Sequence, residues 1–385
     1  MKFAHLGDCH LGSWRQPALQ QLNLESFKKA IEICIKENVD FILISGDLFD
    51  SAYPPIEILK ETFSELRKLK EAGINCFIIA GSHDYSASGK TFLDVLEKAG
   101  FCRNVHETEE RGNEIILNPF ICKNCAIYGY PGKKSGMEIS ELKNIKLQEA
   151  PGFFRIFMLH TTLTKAKGSL PIESVDEESL PEVEYYALGH LHINYEEGNF
   201  IYSGPIFPNN FQELEELKYG SFYIINTSGS RRRIEIKLKD VEVVDLEIKN
   251  ALTATEKIIF ELDKREIKDK IVLLKLSGKL EQGKTSNINF QEIENFCTKK
   301  GAYVLLKSIS QIETEEPEIN IDIGDMQNLE SVIIEKYCEE NPSSFNDLIL
   351  PLVNALNMEK QEDEKSAIFS ERLFSELKKI VNIEI

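Results

Sequence analysis

Five short clusters of metal-ligating side chains each follow directly on a run of apolar residues, and this repeated placement is what most narrows the fold. The clusters are Asp8-Cys9-His10, Gly46-Asp47, Gly81-Ser82-His83-Asp84, His160 and Gly189-His190-Leu191-His192. The runs before the middle three span residues 40–45, 74–80 and 155–159. Short apolar runs bounded by turn residues read as buried strands. Each cluster is therefore expected at the carboxyl end of a strand. Strands that run parallel in one sheet bring those ends to a shared edge, where such sheets build their sites. The clusters should meet.

A mixture of carboxylates and imidazoles suits a borderline divalent ion such as Mn, Fe or Zn, whereas thiolates alone suit zinc or copper and oxygens alone suit magnesium or calcium. Asp8 and His10 stand two apart, so in an extended segment both point to one face. The same holds for His190 and His192. Two such pairs with a lone Asp and a lone His supply more ligands than one tetrahedral ion accepts. A pair of ions roughly 3.5–4 Å apart, bridged by a carboxylate and a hydroxide, is expected instead. Asp47, alone after its glycine, is the natural bridge.

The order DxH, GD, G(N)HD, H, GHxH resembles that of the calcineurin-like metallophosphoesterases. The fuller strings Phe3-Ala4-His5-Leu6-Gly7-Asp8-Cys9-His10-Leu11-Gly12, Ser45-Gly46-Asp47-Leu48-Phe49 and Tyr186-Ala187-Leu188-Gly189-His190-Leu191-His192 resemble the narrower SbcD or meiotic-recombination-eleven type of double-strand-break repair nuclease. The motif match covers about the first half of the chain; beyond it the resemblance is one of layout. It implies an α/β fold with a β-sandwich core flanked by helices, a small α/β capping domain and a C-terminal helical segment. It also implies a Mn-dependent DNA nuclease with 3′–5′ exonuclease and single-strand endonuclease activity. Such a nuclease acts on DNA ends as a homodimer with a coiled-coil ABC-type ATPase, called SbcC in bacteria.

The resemblance further implies roles. Asp8, His10 and His192 hold the first ion, Asp47 bridges, and His160 and His190 hold the second. His83 protonates or steadies the leaving 3′ oxygen, a task suited to an imidazole, and Asp84 orients a neighbour. Two departures stand out. Ser82 occupies the place of an Asn whose amide oxygen ligates the second ion, and a shorter hydroxyl is a poorer donor. Asp50 stands where some members carry a histidine near the substrate, and an anion there repels phosphate. Ser82 keeps two alternatives open: another metallophosphoesterase, or a weakly active scaffold subunit.

A length of 385 residues suggests two or three domains. The start, Met1-Lys2-Phe3, runs straight into the first strand rather than into a signal peptide. No apolar run approaches the roughly 20 residues of a membrane helix, so a soluble, cytoplasmic protein without membrane contact is expected. Eight cysteines in such a chain are expected to stay reduced. Cys122-Lys123-Asn124-Cys125 has no partner pair at zinc-ribbon spacing, and paired thiols in a loop or hairpin are the plain reading. A net charge of −18 runs against a protein of the phosphate backbone, which rewards Lys and Arg. The acid, however, is crowded at 313–318 and 359–364, while Lys133-Lys134, Lys165, Lys167 and Arg231-Arg232-Arg233 are basic spots.

Phe27, Ala30, Ile31, Cys34 and Ile35 mark one buried helix face. A second helix follows Pro54-Pro55 with Ile56, Leu59, Phe63, Leu66 and Leu69 on a stripe, and a third carries Phe92, Leu93 and Leu96. These last two stripes either pack on the sheet or make the family's dimer contact. Short strands are expected from 115 to 130, then final strands at 201–204 and 221–226. His5 is expected in the core, and nothing marks His106. Trp14, in the loop after the first cluster beside Arg15, either stacks on a base or plugs the core. With Lys133 and Lys134, these two are the candidate DNA contacts.

Domain boundaries are placed at 1–230, 231–312 and 313–385, with residues 227–230 as a turn or linker. The middle segment reads as strand, helix, strand, helix, strand. Thr253-x-x-Glu256 is a capping box there, and a helix over 289–300 is capped by Gly301. Past an acidic linker at 313–322, the stripes Leu329-Val332-Ile333-Tyr337, 345–356 and Phe369-Leu373-Leu377-Ile380 suit docking to the ATPase or a self-packed helical cap.

Overall fold

The structure is a computed structural model that describes residues 1–86, 89–133, 136–314, 334, 337–338, 343, 345–358, 360 and 366–381. The chain divides into two compact units, Met1–Thr314 and Glu315–Ile385.

The first unit opens with β1 (Lys2–Leu6), α1 (Pro17–Lys36), β2 (Phe41–Ser45), α2 (Ile56–Glu71), β3 (Asn75–Ile79), α3 (Phe92–Lys98) and β4 (Arg103–Asn104). Strands β1 to β4 pair in parallel. Alternation along these strands decides what each face meets. Ala4, Leu6, Ile42, Ile44 and Ile78 pack on Phe27, Ala30, Ile31 and Cys34 of α1 and on Leu66 and Leu69 of α2. The stripes of α2 and α3 pack on the sheet through Leu66, Leu69, Leu93 and Leu96, whereas Ile56 at the start of the α2 stripe is exposed. Phe3, Phe41, Leu43, Phe77 and Ile79 face the other way, toward a second sheet.

That second sheet follows in sequence: β5 (Thr108–Arg111), β6 (Glu114–Leu117), β7 (Phe120–Cys122), β8 (Cys125–Tyr130), α4 (Glu138–Leu142), β9 (Ile145–Leu147), β10 (Phe154–His160), β11 (Tyr185–Gly189), β12 (Asn194–Glu197) and β13 (Phe200–Ser203). Its order is β12-β13-β11-β10-β8-β7, with β5-β6-β9 as a small separate sheet. Strands β8, β10 and β11 are parallel. Ile127, Ile156, Met158, Tyr185 and Ile201 meet the inward face of the first sheet, giving a sandwich whose central strands are apolar on both sides.

After α5 (Phe211–Leu217), the hairpin β14 (Gly220–Asn226) and β15 (Arg231–Ile236) closes the first sheet beside β1. Residues 227–230, expected as a turn or linker before the next domain, are the tight turn of this hairpin. Asn226 N–H donates to Ser230 O at 2.8 Å and Gly229 takes φ 109°. The basic run therefore lies on an edge strand of the sandwich rather than at the start of the small module.

The small module is β16 (Val241–Glu247), α6 (Ala254–Asp263), β17 (Ile271–Leu280), α7 (Phe290–Lys299) and β18 (Val304–Thr314), a parallel three-stranded sheet. One face packs on α6 and α7 through Val272, Leu274, Ile258, Leu262 and Ile293. Ile271, Leu273 and Leu306 on the other meet Leu19 and Leu22 of α1 and Leu214 of α5. The capping box expected at Thr253 is not formed: its backbone is already helical and its side chain makes no cap bond. Asn289 does cap α7, accepting from Glu292 N–H at 3.1 Å.

In the second unit, α8 (Asn346–Leu356) and α9 (Ser366–Val381) pack on each other. Most of the expected acidic linker, together with Leu329, Val332 and Ile333, lies outside the described residues. Among the described residues no helix is long and apolar enough to cross a membrane.

Candidate active site

The five clusters meet, but two sheets rather than one bring them together. Strands β1, β2 and β3 deliver Asp8 with His10, Asp47, and the Ser82-His83-Asp84 turn, whereas β10 and β11 deliver His160 and the His190-His192 pair. β10 lies between β8 and β11 in the second sheet, so the ends of β10 and β11 reach the site across the sandwich. Glycine makes that approach possible. A Cβ on Gly46 (φ 87°) would lie 2.2 Å from His160 Nδ1, and one on Gly81 would lie 2.2 Å from Asp47 Oδ1.

Strand alternation is not what aims Asp8 and His10 at one point. Both have left-handed backbones, with φ of 49° and 42°, as do Asp47 at 47° and His190 at 99°. Such conformations strain non-glycine residues and cluster at functional sites. Here they turn each side chain off the end of its strand and into the cleft.

Among the described residues, three sets of donor atoms lie within 4.8 Å of one another: Asp8, His10 and His192; Asp8, Asp47 and His160; and His10, Asp50 and His83. His10 Nε2 is 3.1 Å from His192 Nε2 and 3.6 Å from Asp47 Oδ2, and His160 Nε2 is 3.2 Å from Asp47 Oδ2. His160 Nε2 is buried and makes no well-aligned hydrogen bond, facing instead the Asp47 carboxylate. A buried imidazole nitrogen that faces a carboxylate without a well-aligned hydrogen bond leaves room for a cation between the two. Together with the nitrogen and carboxylate donors around it, this suits a divalent cation.

Not every expected ligand joins these sets. His190 stands edge-on to His160 at 5.0 Å between ring centroids, and its backbone N–H donates to Asp8 Oδ1 at 2.9 Å. Ser82 Oγ donates to Asp47 Oδ2 at 3.4 Å. His83, exposed at the rim, holds Asp47 through its backbone N–H at 2.8 Å, while its Nδ1 lies 2.9 Å from the Asp50 carbonyl.

Burial opposes charge throughout this cluster, and the neighbours decide which groups carry it. Burial drives the His190 imidazole down to about 3, aided by His160. His160 is opposed by burial yet held up at about 10 by Asp47 and Asp8. Burial likewise works against Asp47, but His160 and His10 outweigh it and keep its carboxyl below the usual range. His192 is raised to about 9 against burial by its bond to Glu213.

Asp84 orients not one neighbour but two loops. Fully buried, it accepts from Gly81 N–H at 2.9 Å, Phe49 N–H at 3.2 Å and Leu48 N–H at 3.4 Å. It thereby clamps the turn after β3 to the turn after β2. Burial and the nearby Asp47 push its carboxyl up to about 7. Glu213 was not anticipated: its Oε1 lies 2.8 Å from His192 Nδ1. The only signal for it is the Asn210-x-x-Glu213 pattern that starts α5, which marks a helix start and not a partner.

The candidate DNA contacts are placed unevenly. The Trp14 ring packs beside Phe207 and Phe211 and its Nε1–H donates to Pro208 O at 2.9 Å, an arrangement that favours the plug over the stacking platform. Arg15 is exposed. Lys133 is paired with Glu141 at 2.5 Å, and Lys134 lies outside the described residues. Arg231 and Arg232 are likewise paired, with Glu196 and Glu37. Cys122 and Cys125 face each other across the β7–β8 hairpin as free thiols.

The calcineurin-like phosphoesterase family model matches residues 1–194. The chain belongs to that family. Over most of its length this phosphoesterase is also similar to archaeal DNA double-strand break repair proteins named Mre11. That of Methanocaldococcus jannaschii is 27% identical over 384 residues, 92% of this chain and 94% of that one. That of Archaeoglobus fulgidus is 24% identical, covering 97% and 85%, and that of Sulfurisphaera tokodaii is 29% identical, covering 86% of each.

Proposed function

We propose that this phosphoesterase is a two-metal DNA nuclease of double-strand break repair, with 3′–5′ exonuclease activity on duplex DNA and endonuclease activity on single strands. The observation that carries the proposal is the convergence of Asp8, His10, Asp47, His160 and His192 on one cleft. Similarity to Mre11 proteins along the sandwich, the small module and beyond supports DNA as the substrate over a small phosphodiester.

Asp8, His10 and His192 would hold one divalent ion, and Asp47, His160 and His190, with Asp8 alongside, the other; Mn²⁺ is the proposed metal. When bound, such ions supply positive charge against the phosphodiester and make water acidic enough to serve as nucleophile at neutral pH. Asp84 holds the two ligand-bearing turns together. His83, fixed through Nδ1 on the Asp50 carbonyl, presents Nε2 to hand a proton to the leaving 3′ oxygen. The module around β16–β18 would cap DNA, Arg15, Lys133 and Lys134 would touch its backbone, and α8 and α9 would dock an SbcC-like ABC-type ATPase, with the active form a homodimer.

Incubation with Mn²⁺ and end-labelled duplex is the test. Degradation that stops on chelation is expected; intact DNA beside protein with bound Mn²⁺ would overturn the proposal. One observation favours a second reading, a weakly active scaffold subunit: the Ser82 hydroxyl is engaged with Asp47 where the family's Asn offers an amide oxygen.

A further inference from the structure

We infer that Glu213 and Asp50 are positioning residues that make the Asp8–His10–His192 set the tighter of the two cation sites; this rests on the two-ion reading above. A neutral imidazole has one lone pair, so the nitrogen that does not face the cation must carry hydrogen and find an acceptor. His10 and His192 turn their Nε2 atoms toward each other at 3.1 Å, and each then meets a carboxylate on its far side. His192 Nδ1 lies 2.8 Å from Glu213 Oε1. His10 Nδ1 lies 3.3 Å from Asp50 Oδ1, a charge contact short of a well-aligned hydrogen bond. Carboxylates behind ligating histidines fix the tautomer and ring orientation and raise the donor strength of the inward nitrogen.

Glu213 is held through its carboxylate, and Asp50 through its backbone. Glu213 accepts from Asn209 N–H at 2.8 Å and Asn210 Nδ2 at 2.5 Å, at the start of α5. Asp50 donates its backbone N–H to Leu11 O at 3.2 Å and offers its carbonyl to His83. The other set lacks this support. His160 Nδ1 faces a neutral carbonyl, Ser45 O, at 3.0 Å, and both His190 and Ser82 stand outside the convergent donors. The same lone-pair count speaks against a third cation on His10, Asp50 and His83, since the His10 lone pair is already directed inward. An anion at position 50 thus serves His10 rather than confronting phosphate.

Calorimetric titration of the full chain with Mn²⁺ tests this through two binding constants. In Glu213→Leu and Asp50→Ala the tighter constant is expected to weaken by about 10–100-fold, with the weaker constant unmoved. Glu213→Gln keeps an acceptor for Nδ1–H and should lose less, and it carries the test if the leucine variant fails to fold. Glu216→Leu, on the exposed side of α5, should match wild type. Wild type that binds Mn²⁺ while the Glu213 and Asp50 variants stay within about twofold of it overturns the inference and leaves the two-ion reading intact. A loss confined to the weaker constant, or shared equally, also overturns it. Wild type that takes up no Mn²⁺ overturns both.

Discussion

His5 Nδ1 and the Tyr185 hydroxyl meet at 3.0 Å in the closed layer between the two sheets, tying β1 to β11 just upstream of Asp8 and His190. The imidazole is fully buried edge-on to the Tyr185 ring, and that burial drives it down to about 3. It stays neutral in the folded protein at any ordinary pH.

Acid should therefore weaken the sandwich through His5. Below about pH 6.5 the unfolded chain takes up a proton that the folded chain refuses until about pH 3, so stability falls as pH drops through that window and is untouched above it. One pKa unit is about 1.4 kcal/mol, which makes the loss between about pH 7 and pH 5 on the order of 2 kcal/mol. Urea unfolding of wild type and His5→Gln across this range checks it. The stability difference between them should shift by roughly that amount toward the variant as pH falls, and a difference that stays flat would be decisive against it.

The approach of the two sheets at Gly46 can be separated from its backbone strain. Gly46 and Gly73 both take positive φ, of 87° and 70°, but a Cβ on Gly46 meets His160 at 2.2 Å while one on Gly73 meets nothing within 4 Å. Alanine at Gly73 should cost only the strain, about 1 kcal/mol. Alanine at Gly46 must also displace a buried ring and should cost at least about 3 kcal/mol. Equal losses on thermal unfolding would mean that the glycine serves conformation alone.

The placement of chemistry after apolar runs was legible because β1, β2, β3, β10 and β11 are buried on both faces, which writes them as unbroken hydrophobic stretches. What those stretches lack is a record of their partners: nothing in residues 155–159 distinguishes a strand beside β8 from one beside β3. The left-handed turns at Asp8 and His10 were equally hidden, since neither residue is a glycine that advertises positive φ. Glu213 reaches His192 from a separate helix, a contact made by tertiary packing and by no fixed spacing. Asp84 stands out in sequence only for its place beside His83, whereas two of its three backbone donors, Leu48 and Phe49, belong to a turn far away in sequence.

His83 tests the chemistry apart from the ions. Its ring stands edge-on to His10 at 4.7 Å and its Nδ1 is fixed on Asp50 O, yet the side chain is at the exposed rim. His83→Ala should lower the rate of phosphodiester cleavage by about 10²–10⁴-fold, the usual worth of a positioned acid, with Mn²⁺ affinity held within about twofold. Parallel loss of ion binding and activity would reassign His83 to the ligands.

Ser82→Asn decides between a weakened enzyme and a scaffold. The serine hydroxyl sits 3.4 Å from Asp47 Oδ2, in the turn that Asp84 clamps through Gly81, so the backbone at this position is already fixed beside the Asp8–Asp47–His160 donors. An asparagine there extends a carbonyl oxygen toward them, a harder and better donor for a divalent ion than a hydroxyl already engaged as a hydrogen-bond donor. The weaker Mn²⁺ constant should tighten by about tenfold or more and nuclease turnover should rise with it, while the tighter constant, which Ser82 reaches only through Asp47, should move less. Tightened binding with DNA still intact would mean that cleavage is blocked elsewhere, and the scaffold reading would then be the stronger one.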